Sequence, residues 1–97
     1  MRFEIVFAPE AAGDFKRLKA SLRATLRAAF EAHLRHEATK TSRSRIKRLR
    51  GLRRPQYRLR VDTIRVFYDV SGTRVEILAI VSKPEAESWL TRFGNPG

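Results

Sequence analysis

The chain has 97 residues, room for one compact domain and no second, and without cysteine it has no disulfide, no thiol nucleophile and no thiolate metal site. Its 21 lysines and arginines stand against 10 acids, a formal charge of +11 that draws polyanions: nucleic acid, an acidic protein or an anionic surface. No apolar run approaches the ~20 residues that span a bilayer, and Met1-Arg2-Phe3-Glu4 lacks the apolar stretch of a secretory signal, so a cytoplasmic chain with no membrane partner is expected.

Residues 2 to 7 place Phe3, Ile5 and Phe7 on one side and Arg2, Glu4 and Val6 on the other, the period of a strand with one wet face. Pro9 suits a first helical turn, and Ala12, Phe15 and Leu18 follow at helical spacing to about residue 19. After a break near Ala20-Ser21, the residues Leu22, Leu26, Ala29, Phe30, His33 and Leu34 recur at three and four, opposite Arg23, Arg27, Glu31 and Arg35. Two amphipathic helices so closely joined read as an antiparallel hairpin lying on a sheet. His33 falls in the apolar stripe and is expected to pack or to face a partner.

From Glu37 to Pro55 the apolar period is lost. Lys40, Arg43, Arg45, Lys47, Arg48, Arg50, Arg53 and Arg54 crowd a segment with no acid between Ala38 and Val61, which reads as an arm or loop ordered by an anion or an acidic partner. Ile46, Leu49 and Leu52, three apart, would dock it as a helical turn, with Gly51 as a stop.

Three strands are expected next, Gln56 to Val61, Ile64 to Val70 and Arg74 to Val81, joined by tight turns at Asp62-Thr63 and Ser71-Gly72. The last is apolar on nearly both faces, which suits a central strand. Ser82-Lys83-Pro84-Glu85 fits a capping box, followed by a short helix with Ala86, Trp89, Leu90 and Phe93 on one face and Gly94 and Pro96 closing it. Residues 1–97 therefore read as one α+β domain: an N-terminal strand, a two-helix hairpin packed on an antiparallel sheet of about four strands, and a short C-terminal helix.

With Asp62-Thr63 as the turn, Val61 opposes Ile64, Arg60 opposes Arg65 and Arg58 opposes Phe67. Tyr57, Leu59, Val61, Val66 and Tyr68 then face the helices, which leaves Arg58, Arg60, Arg65 and Phe67 on the other face. Directly opposed arginines repel unless an anion lies between them. Guanidinium forks match phosphate oxygens and Phe67 offers a ring for a base, a combination suited to single-stranded RNA, with the basic segment next in sequence. No cluster of His, Asp or Glu has metal-ligand spacing, and no cofactor is implied.

The order strand, two helices, basic segment and then LRGLRRPQYRLRVDTIRVFYDVSGTRVEILAIVSK resembles the RelE/ParE toxin superfamily over nearly the whole chain. The RelE-like branch cuts messenger RNA on the ribosome by activating a ribose 2'-hydroxyl against its own phosphate. The resemblance places Arg58, Arg60 and Arg65 at the basic sheet positions that hold the scissile phosphate. The branch's C-terminal arginine and tyrosine are not reproduced; Glu85 and Thr91 lie near those places, with Lys83 and Arg92 as the nearest substitutes. The resemblance implies a cognate antitoxin, ribosome and mRNA as partners, and operator DNA reached through the antitoxin. Inhibition of DNA gyrase, as in the ParE-like branch, is the alternative, and a toxin that binds only its antitoxin a third.

Overall fold

The computed structural model describes residues 1–96. Strand β1 (Glu4–Phe7) leads into helix α1 (Pro9–Lys16), which opens on Pro9, where a missing amide costs nothing. Helix α2 (Ala20–Ala29) continues through a π-helical turn at Phe30–Leu34. The break between α1 and α2 falls at Arg17 to Lys19, slightly before the expected Ala20-Ser21. Then come β2 (Ile46–Arg48), β3 (Leu52–Arg54), β4 (Tyr57–Val61), β5 (Ile64–Ser71), β6 (Arg74–Ser82), helix α3 (Ala86–Phe93) and the short β7 (Asn95–Pro96).

One sheet of five strands runs in the order β1-β6-β5-β4-β2, and β3 pairs with β7 in a separate ribbon. The α+β architecture is as expected, but the sheet is mixed: β1 lies parallel to β6, because the helical hairpin carries the chain back across the sheet before the meander begins. The basic segment is not a free arm or helical turn. Its Ile46 is buried at the edge of the core, which fixes β2 against β4, and the Ser42 hydroxyl accepts the Arg45 and Ile46 amides at 3.1 and 3.2 Å to start that strand. β6 is interior, as its two-sided apolar pattern requires, although β5 takes the middle place once β2 joins.

The β4–β5 register is the expected one: Val61 opposes Ile64, Arg60 opposes Arg65, Arg58 opposes Phe67. Asp62 takes a left-handed φ of 56° to close this turn, a conformation that aspartate tolerates. The next turn lies one residue later than expected, at Gly72-Thr73, since Ser71 pairs with Arg74; Gly72 supplies the positive φ.

The core lies between the helices and one sheet face. Leu26, Leu34, Leu59, Val66, Val75 and Ile77 are buried there, each large side chain stabilising the fold by roughly 1.5–3 kcal/mol. Phe7 meets Phe15 and Phe30 edge-on at 5.3 and 5.9 Å between ring centroids. Tyr68 is fully buried, its hydroxyl donating to the Ala38 carbonyl at 2.7 Å, which ties the end of the helical hairpin to the middle strand; burial pushes its phenol well above the usual range.

The expected capping box takes another form. Ser82 caps no helix amide; its hydroxyl donates instead to the Glu85 carboxylate at 2.5 Å, over a short 3-10 turn at Lys83–Glu85. Gly94 ends α3 with its amide on the Leu90 carbonyl at 2.8 Å, and a Cβ there would stand 2.6 Å from that oxygen. No helix among the described residues is long and apolar enough to cross a membrane.

Candidate nucleic-acid interface

The sheet face turned away from α1 and α2 carries the charge. Alternation along β4 and β5 brings Arg58, Arg60 and Arg65 there together, and β2 adds Lys47, directly opposite Arg58. Arg45 stands beside them at the β2 edge, its carbonyl accepting the Arg60 amide at 2.8 Å while its side chain lines the groove with His33 on the helix side. None of these five cations has a carboxylate partner among the described residues; the nearest acid in sequence, Asp62, contributes only its backbone carbonyl to Arg65.

The three arginines are not equivalent. Arg60 is exposed. Arg58 is half-buried, and its Nε is shut away from solvent without a hydrogen-bond acceptor, an omission that costs roughly 1–3 kcal/mol. Burial first, then the Arg60 charge, lowers the tendency of Arg58 to hold its proton. Arg65 is only 6% exposed and is pinned, one guanidinium nitrogen donating to the carbonyls of Asp62 and Ile64 at 2.8 and 3.1 Å. Burial, then Arg58 and Arg60, push it the same way. Arginine keeps its proton at any working pH. These shifts therefore reflect burial first and then uncompensated positive charge beside it, and a bound anion would relieve the second.

Two expectations are corrected here. Phe67 is no stacking platform for a base: it is fully buried, its ring covered by Trp89 of α3 at 5.0 Å and 10°. Arg54 is not free for RNA: it pairs with Asp69 at 3.3 Å and Glu76 at 3.4 Å, anchoring β3 to the sheet. Lys40 is paired with Glu37 at 3.2 Å, and Arg48 lies over the Tyr57 ring at 5.1 Å while donating to the Gln56 carbonyl. Arg43, Arg50 and Arg53 are exposed.

Lys83 is exposed just beyond β6, its amide on the Thr63 carbonyl at 2.8 Å, so its backbone abuts the turn that carries Arg65. His33 lies elsewhere, half-buried in a groove on the helix side of the sheet with Ser42 and Arg45; burial, then Arg45, depresses its pKa. Among the described residues no three His, Asp or Glu side chains converge as a metal site would require.

No curated protein matches the chain. Its fold is similar to that of solved chains at low identity. A chain of the toxin-antitoxin complex RelBE2 from Mycobacterium tuberculosis superposes with a TM-score of 0.66 at 22% identity, over 84% of this chain and 99% of that one. A chain of the RelB-RelE antitoxin-toxin complex from Methanococcus jannaschii gives 0.63 at 17% identity, covering 87% and 96%. One from the archaeal RelE-RelB complex of Pyrococcus horikoshii OT3 gives 0.60 at 16%, covering 86% and 97%. Residues 5–86 match the family model described as the ParE toxin of the type II toxin-antitoxin system parDE, a span that includes α1, α2, nearly all of the five-stranded sheet and the arginine face. The chain belongs to that family, and so is a toxin of the RelE/ParE superfamily.

Proposed function

We propose that the arginine face binds single-stranded message on the ribosome and promotes its cleavage, stopping translation in the cytoplasm until a cognate antitoxin covers the toxin. One observation supports this above the others: Arg58, with its orphaned Nε, stands with Arg60 and Arg65 at the end of the sheet face where, among the described residues, no carboxylate pairs with them. A phosphodiester satisfies both wants, because its oxygens accept the guanidinium donors and its charge relieves their repulsion.

In the proposed reaction the 2'-oxygen of a ribose bonds to the adjacent phosphorus, the bond to the next nucleotide's 5'-oxygen breaks, and the 2'-hydroxyl proton is lost while the departing oxygen gains one. Arg58 and Arg60 hold the phosphate and stabilise its added charge. Arg65 works from beneath, its buried charge raising the local potential while its bonds to the turn fix the strand end. Lys83, exposed just beyond β6, takes the role of proton exchange in this reading. Arg43, Arg45 and Lys47 extend the positive surface along the RNA. Operator DNA reaches the toxin only through the antitoxin.

A second reading, inhibition of DNA gyrase without catalysis, is favoured by a specific absence: neither histidine stands on the arginine face, His33 lying on the helix side and His36 beside the Met1 carbonyl. Purified chain added to an in-vitro translation reaction, with message mapped by primer extension, separates the two. Ribosome-dependent cuts within codons, lost in Arg60→Ala, support the nuclease. Intact message together with blocked gyrase supercoiling supports the alternative.

A further inference from the structure

A concave surface opens beside the β2 edge, on the helix side of the sheet. Two hollows there, of about 320 and 530 Å³, share Ser44 and Arg45 and so form one continuous groove. Thr25, Ala29 and His33, each four residues after the last, line it along one face of α2 and its π-helical end. At a helical rise of ~1.5 Å per residue that line is about 12 Å long. Arg60 stands in one hollow and His33 in the other.

Its donors are held in place by the local chain. The Ser42 hydroxyl accepts the Arg45 and Ile46 amides, and the Ser42 amide donates to the Ile46 carbonyl at 2.9 Å, which locks the loop and sets Thr41 and Ser44 on either side of it. Both hydroxyls are exposed and have no hydrogen-bond partner among the described residues. Arg45 supplies the charge, for it meets no carboxylate among the described residues, whereas Lys40 and Glu37 neutralise each other at 3.2 Å. His33 is half-buried beside these three charged groups, without a hydrogen-bond partner among the described residues. Burial and then the Arg45 charge depress its pKa while Glu37 raises it, and an anion seated beside the ring favours the protonated form.

We propose that this groove is a second phosphate subsite, which holds the backbone of a single-stranded RNA just beyond the arginine face. The inference rests on the reading of that face as an RNA site. Arg60 belongs to both surfaces, so a strand whose scissile phosphate lies at Arg58 and Arg60 reaches the groove by turning round the edge at Ser44-Arg45. Hydroxyls, a guanidinium and a protonated imidazole all donate, and the oxygens of a phosphodiester accept from each. No Phe, Tyr or Trp lines the groove, so the subsite grips backbone and positions the strand without reading its sequence. A carboxylate would use the same donors, but continuity with the arginine face favours a polymer that carries a charge on every unit. His33 acts here as a grip on a flanking phosphate, away from the bond that breaks.

The test uses the isotopically labelled full chain with 2'-O-methyl RNA, which has no free 2'-hydroxyl and so binds without being cut, as a trimer and as an octamer. Both are expected to perturb Arg58 and Arg60 in NMR spectra. Only the octamer is expected to shift the His33 ring and the Thr41 and Ser44 amides, and to raise the His33 pKa. Octamer affinity should then rise as pH falls through the His33 range, and His33→Gln should flatten that rise. Arg45→Ala, at an exposed position, is expected to cut the octamer's advantage over the trimer about tenfold and to lower the octamer's salt slope by about 0.7. An octamer that perturbs Arg58 and Arg60 but leaves His33, Thr41 and Ser44 unmoved overturns the subsite and spares the reading of the face. If neither RNA touches Arg58 and Arg60, the reading of the face fails and the subsite falls with it. A glutamate octapeptide that displaces the octamer from His33 at equal concentration makes the groove a protein site and overturns the proposal as well.

Discussion

The two ends of one sheet face use the same residue type in opposite ways. Toward the β5–β6 turn, Arg54 meets Asp69 and Glu76, and Arg74 meets Glu4 at 3.5 Å, so each cation has a carboxylate. Toward the β4–β5 turn, Arg58, Arg60, Arg65 and Lys47 have none among the described residues, and Trp89 on Phe67 lies between the two ends. The paired end holds the β3 ribbon to the sheet. The unpaired end spends stability to keep a charge in place, and that is what a binding surface for an anion requires.

The contrast is broken most directly at the unpaired end. Arg58→Ala with Arg60→Ala is expected to weaken single-stranded RNA binding about 100-fold or more, since each charge-assisted bond contributes roughly 1.5–3 kcal/mol. The slope of log affinity against log salt should fall by about 1.4, which is about 0.7 for each of two lost phosphate contacts. A slope that does not change would mean that these arginines do not touch phosphate. Arg54→Ala is the control: Arg54 is committed to acids and its loss should leave the slope nearly unchanged.

Stability should respond with opposite signs at the two ends. Arg58→Met removes the orphaned Nε and a repelling charge while keeping much of the side chain's bulk, and is expected to raise stability by about 1 kcal/mol in urea denaturation without RNA. Arg54→Met removes two ion pairs from a side chain about half exposed, so solvent screening limits the loss to roughly 1 kcal/mol or less. If both variants lose stability, the unpaired end is not the strained one.

The sequence shows this division only in part. Register was legible because a two-residue turn fixes every pair beyond it, so Arg60 against Arg65 follows from Asp62-Thr63 alone. Strand β2 was not, because three residues with one apolar side chain, Ile46, have no period to detect, and its pairing is decided by a core far along the chain. The fate of Phe67 depends on where α3 lies, which the apolar face of Trp89, Leu90 and Phe93 announces without giving its address. Arg54 looked like its neighbour Arg53, because the acids that claim it belong to β5 and β6.

The smallest effect is one of pH, and it tests how fully the paired end is compensated. Asp69 accepts the Gln56 amide at 2.7 Å and Arg54 lies beside it, yet burial outweighs both and raises its pKa, with Glu76 adding to the rise and Arg48 opposing it. The folded chain then binds this proton more readily than the unfolded one. The contribution is fully present below the usual aspartate range and is lost as pH rises through the raised value, the reverse of a well-paired carboxylate. Asp69→Asn mimics the protonated form, so its stability relative to the natural chain should improve from acid to neutral pH, other groups cancelling in the difference. A relative stability that worsens instead would mean that Arg54 outweighs burial, that Asp69 is an ordinary stabilising partner, and that the two ends of the face differ in charge balance even more sharply.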